Sequence, residues 1–86
     1  MNTIEEDNKM VMKHTLKKIN LGKNIRTIRL QRQMTRKEVI AKMPSHGSKM
    51  SRISLAYIEW GRGDIKAGDL RLLKQVFNVE YDEFFV

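Results

Sequence analysis

The stretch Met34–Gly61, MTRKEVIAKMPSHGSKMSRISLAYIEWG, limits what this chain can fold into more than any other. It reads as two short helices joined by a turn. Thr35 stands where a helix cap belongs, and Val39 and Met43 follow at the four-residue spacing that builds one apolar face. Pro44 and Gly47 then forbid continuation. In the second helix Met50, Leu55 and Ile58 can point inward, while Ser51, Arg52, Ser54 and Tyr57 point elsewhere. Gly61 stops it. A short helix that projects polar side chains from a firmly packed partner is what the major groove of DNA admits.

The charge around this stretch bears on the same question. Residues 8–62 hold 14 Lys/Arg against only Glu38 and Glu59. Residues 1–7 contribute −3 (Glu5, Glu6, Asp7) and residues 63–86 contribute −2, within a net charge of +7. Such asymmetry is the footprint of a polyanion binder, and a merely solvated basic surface is the plain alternative. Eighty-six residues allow one domain with one small core. There is no cysteine, so neither disulfides nor thiolate metal sites hold it together. His14 and His46 are too few and too separated for a metal cluster, and no cofactor is expected. No apolar run approaches the roughly 20 residues of a membrane span. The opening MNTIEEDNK is too acidic for a secretory signal, so a cytoplasmic protein is expected.

Two segments divide the chain. Residues 1–19 form an N-terminal extension. Thr3 and Glu6 have capping-box spacing, and Met10, Val11, Met12, Leu16 and Ile19 make a ragged apolar stripe. This is either a partial helix or a loose basic arm carrying Lys9, Lys13, His14, Lys17 and Lys18. Residues 20–86 form the domain proper. The spacing predicts a helix over about 21–33, with Leu21, Ile25, Ile28 and Met34 inward and Lys23, Arg26, Arg29 and Arg32 on its polar side. Further helices are expected over about 35–43, 51–60 and 68–77, with a turn over about 44–50. Leu70, Leu73, Val76 and Phe77 mark the inner face of the helix over 68–77, Asn78 its end, and a last short helix covers about 81–85. With one proline and no period-two alternation, the class is all-α, a compact five-helix domain.

The series LGKNIRTIRLQRQMTRKEV, SRISLAYIEWGRG and LRLLKQVFNVEYDEFF resembles the Cro/phage-repressor type helix-turn-helix family, also called XRE-like, over about residues 21–85. The resemblance implies a DNA-binding domain, bacterial or phage-encoded and nucleoid-associated, whose third helix faces the groove. It implies that Arg26 on the first helix pairs with Glu59 and locks the reading helix to the scaffold. There are departures. Arg36 replaces a usual glutamine, and bulky Ile40 stands where a small residue is usual. The turn Pro44–Lys49 is about five residues longer. Ile40 implies a wider crossing or a rotated third helix, with Ala41 taking the close contact.

Within that frame Arg52 is the first candidate for base reading, because a guanidinium matches guanine O6 and N7. Ser51, Ile53 and Tyr57 map onto further groove-facing positions. Ile53 could touch a thymine methyl or sit in the core of a rotated helix, and Tyr57 could bond a base edge or phosphate, or simply pack. Arg36, at the start of a helix, suits a phosphate, with Lys37 beside it. Arg62, Lys66 and Lys49, and less directly His46, are further backbone contacts. Trp60 reads as a partly buried anchor rather than a stacking platform. No paired carboxylates or nucleophile–histidine partnership argue for an enzyme. The expectation is a sequence-specific regulator of transcription, a repressor that binds a palindromic operator in double-stranded DNA as a homodimer. Its subunits would meet through Tyr81–Val86 (Tyr81, Phe84, Phe85, Val86) or the N-terminal extension. The competing reading is a protein-interaction module, such as an antitoxin or adaptor, on the same scaffold.

Overall fold

The computed structural model describes residues 20–44 and 49–86. The expectations for residues 1–19 and for His46 and Gly47 in the turn lie outside them. Among the described residues the protein is all-α. Helices α1 (Leu21–Gln31), α2 (Arg36–Lys42), α3 (Arg52–Glu59) and α4 (Ala67–Phe77) are followed by a 3-10 helix, Tyr81–Phe85. The fifth expected helix is therefore this single 3-10 turn, and the described residues hold four α-helices rather than five. No helix among them is long and apolar enough to cross a membrane.

The first three helices begin at side-chain caps. Asn20 Oδ1 accepts from the Lys23 amide at 2.9 Å to start α1. Thr35 and Glu38 form a reciprocal capping box at α2: the Glu38 amide donates to Thr35 Oγ1 (3.1 Å) and the Thr35 amide donates to Glu38 Oε1 (3.0 Å). Ser51 and Ser54 repeat the device at α3, with amide-to-hydroxyl distances of 3.1 and 2.7 Å. The ends share a second device. After α1, α3 and α4 the residues Gln33, Gly61 and Asn78 turn left-handed, at φ 56°, 75° and 55°. The amide beyond each folds back on the last turn: Met34 to Arg29, Arg62 to Tyr57 and Val79 to Lys74. These are paired C-terminal caps that satisfy carbonyls a helix end would otherwise leave open. The Arg32 guanidinium adds a bond from α1 to the Phe77 carbonyl at the end of α4 (2.9 Å).

One core holds the helices together. Ile25 and Ile28 of α1, Val39 and Met43 from α2, Leu55 and Ile58 of α3, Leu73 and Phe77 of α4, then Val79 and Phe84, are all buried. Each such side chain contributes about 1.5–3 kcal/mol over leaving it in water. Phe77 and Phe84 meet as tilted rings 6.5 Å apart. Phe84 is thus core, and it leaves the expected dimer surface; Tyr81, Phe85 and Val86 remain exposed.

At the α2–α3 crossing Ile40 packs half-buried against the core and Ala41 is exposed, so Ala41 does not take the close contact. A close approach of backbones is found instead between α1 and α3, at Gly22. A Cβ there would fall on the Ile58 carbonyl oxygen and lie 3.3 Å from Glu59 Cα. Hydrogen in place of a side chain is what lets α1 and α3 touch backbone to backbone.

Candidate nucleic-acid interface

The residue that fixes α3 is Glu59, 5% exposed at its last turn. Its carboxylate takes a two-pronged bond from Arg29: Nε to Oε2 at 2.8 Å and Nη2 to Oε1 at 2.9 Å. Arg29 Nη1 also donates to the Met34 carbonyl at 2.8 Å. This corrects the expected Arg26–Glu59 pair. Arg26 is exposed, while Arg29 is only 6% exposed. The physical reason is helical register. Gly22, Ile25 and Arg29 recur at three- and four-residue steps and so share the face that meets α3; Arg26, one position on from Ile25, turns away. Arg29 therefore does not belong to the polar stripe.

Arg36 joins the same carboxylate. Its guanidinium lies 3.1 Å from Glu59 Oε1 and 5.7 Å from the centre of the Trp60 ring. Trp60 in turn meets Tyr57 edge to face, with centroids 5.9 Å apart. Trp60 is 60% exposed, so it is no buried anchor; its ring is a shelf that carries Arg36. A buried arginine thus locks α3 to α1, and a half-exposed one links α2 to the end of α3.

These links bring several expected site residues around one open concavity. Arg36, Lys37, Arg52, Ile53 and Tyr57 line it, together with Thr35, Ala56, Trp60 and Arg29. Glu59, which Arg29 and Arg36 of the lining both contact, is already held by these two arginines. The wall is therefore cationic at its rim and apolar along α3. Ile53 is exposed, not buried in a rotated core. Ser51 stands beside the concavity as the α3 cap, its hydroxyl engaged with Ser54. Lys49, Arg62 and Lys66 are exposed but outside this lining. Lys66 occupies the cap position of α4 without a side-chain bond to it.

Sequence reasoning missed Arg29 and the shelf role of Trp60. The first carries a signal: Arg29 is four residues after Ile25, on the apolar stripe. The second carries none, since cation–ring stacking between residues 36 and 60 depends on how two helices meet. Comparison with protein-family models, with curated proteins and with solved structures gave no match.

Proposed function

We propose that the protein is a sequence-specific, double-stranded-DNA-binding regulator of transcription with the helix-turn-helix arrangement of the XRE-like family. In this reading α2 lies against the backbone and α3 enters the major groove. The observation that carries it is the concavity that gathers Arg36, Lys37 and Arg52 beside the outward side chains of a helix locked by Arg29 and Glu59. A rigid helix with cations at its rim suits phosphate positioning and base contact together. The concentration of positive charge between residues 8 and 62 supports the same reading.

One α3 reads only a few base pairs. A homodimer repeats the reading one helical turn away, about 34–36 Å, and makes the operator palindromic. Tyr81, Phe85 and Val86 offer exposed apolar surface for that contact. Repression then results from occupancy of the operator.

Retention of duplex DNA, titrated at two salt concentrations, tests the proposal. Affinity should fall steeply as salt rises, through release of counterions. Failure to retain any duplex at low salt would leave the second reading, a protein-interaction module. That reading is favoured by exposed Tyr57 and Trp60 beside Arg36, residue types that concentrate binding energy at protein interfaces.

A further inference from the structure

We infer that α3 recognises its half-site in large part through the C5-methyl groups of adjacent thymines, with few hydrogen bonds to base edges. The inference rests on the DNA reading above. Its basis is what the outward face of α3 presents. Ile53 is 69% exposed and Tyr57 47%, one helical turn apart, with half-buried Ala56 between them. Two side chains at that spacing make a continuous ridge, their Cβ atoms about 5–6 Å apart. Isoleucine and alanine have nothing to donate or accept.

The polar groups are correspondingly few. The Ser51 hydroxyl is drawn back by the Ser54 amide and hydroxyl, at 3.1 and 3.2 Å. Along the helix itself that leaves the Arg52 guanidinium and the Tyr57 hydroxyl. Tyr57 is oriented by its edge-to-face contact with Trp60.

In the major groove each base edge shows donors and acceptors, and thymine alone among the four adds an apolar group. An apolar ridge pressed on guanine, cytosine or adenine strips water from polar atoms and gives nothing back. Pressed on thymine it buries a methyl. The ridge is long enough to lie over neighbouring base pairs, stacked about 3.4 Å apart. The expected half-site therefore has adjacent thymines under Ile53 and Tyr57, with a guanine in reach of Arg52.

The test uses the full chain. Duplexes are selected from a random library, and the best is rebuilt with deoxyuridine in place of thymine. Uracil pairs identically and lacks only the methyl. Affinity should fall about fourfold for each thymine under the ridge, the value of one buried methylene-sized group. Thymines elsewhere should be insensitive. Ile53→Ala, at an exposed position, should keep its helical content and lose part of the thymine-over-uracil preference. Equal affinity for the thymine and uracil duplexes overturns the inference and leaves the DNA reading intact, as does a selected half-site without thymines. Retention of no duplex at low salt overturns both.

Discussion

Arg29 and Glu59 meet through two parallel hydrogen bonds of 2.8 and 2.9 Å in a part of the protein that water scarcely reaches. The pair joins the first helix to the third, and removing one member strands the other. Glu59→Gln leaves the Arg29 charge buried without a countercharge, a loss of about 3–5 kcal/mol. Urea unfolding should show that loss. Arg26→Ala, at an exposed position, should stay within about 0.5 kcal/mol of the parent. Equal costs for the two would reverse the assignment of the partner.

Glycine at two places should respond oppositely to alanine. Gly22→Ala drives a methyl into the Ile58 carbonyl, which is backbone and cannot rotate away. The helices must part, at a cost of at least about 1–3 kcal/mol. Gly68, in the first turn of α4, has nothing within 4 Å of the same atom. Gly68→Ala should be neutral or add up to about 1 kcal/mol by restricting the unfolded chain. Thermal melts of the two variants decide the matter.

Most of the helices are legible in the sequence because their determinants are local. The stripe Leu21, Ile25, Ile28 and the cap Thr35 place α1 and α2 within a few residues, and Gly61 and Asn78 mark the ends of α3 and α4. What is not legible is pairwise. Charge sorts Arg29 with Arg26 and Arg32, although its register is that of Ile25. Gly22 gives no sign in sequence that another backbone lies against it. At the site, outward-facing Arg52, Ile53 and Tyr57 are set by helical period, while the joining of Arg36 to Glu59 and Trp60 depends on packing.

The α2 capping box should be sensitive to acid. The Thr35 amide and hydroxyl hold the Glu38 carboxyl below its ordinary value. A carboxylate depressed in the folded state adds stability above its unfolded pKa, and that stability is lost as pH falls through the folded value. An NMR titration should place the Glu38 midpoint below that of an unstructured glutamate. Thr35→Ala removes the hydroxyl and keeps the amide, so it should move the midpoint part of the way back. An unchanged midpoint in that variant would mean that the amide alone sets it.

Cations at the concavity should divide by role. Arg52→Ala should lower affinity for the selected site more than for random duplex, by about 1–3 kcal/mol of discrimination. Lys37→Ala should weaken all duplexes alike and reduce the salt slope by about one contact. Arg36→Ala should do the same, and it also frees Trp60. Because Trp60 is the only tryptophan, its emission reports that release directly.

The left-handed position after α1 is occupied by glutamine, at a steric cost that glycine avoids. Gln33→Gly should therefore stabilise by about 0.5–1 kcal/mol, after allowance for the freer unfolded chain. At the end of α4, Asn78→Ala should cost about 1 kcal/mol, because alanine tolerates the left-handed region less well than asparagine. Denaturation midpoints of both variants check the pair.

The Asn24 side chain donates to the Phe84 carbonyl at 2.8 Å, across 60 residues, and the 3-10 turn that carries Phe84 packs on α1. During synthesis this arrangement has a temporal meaning. Ile25 and Ile28 are made early, but the surface that finishes their enclosure comes only with Phe84. A nascent chain still short of that residue carries α1 with one flank open to water and to other chains. Enclosure of α1 thus waits for Phe84 and cannot proceed helix by helix as the chain emerges.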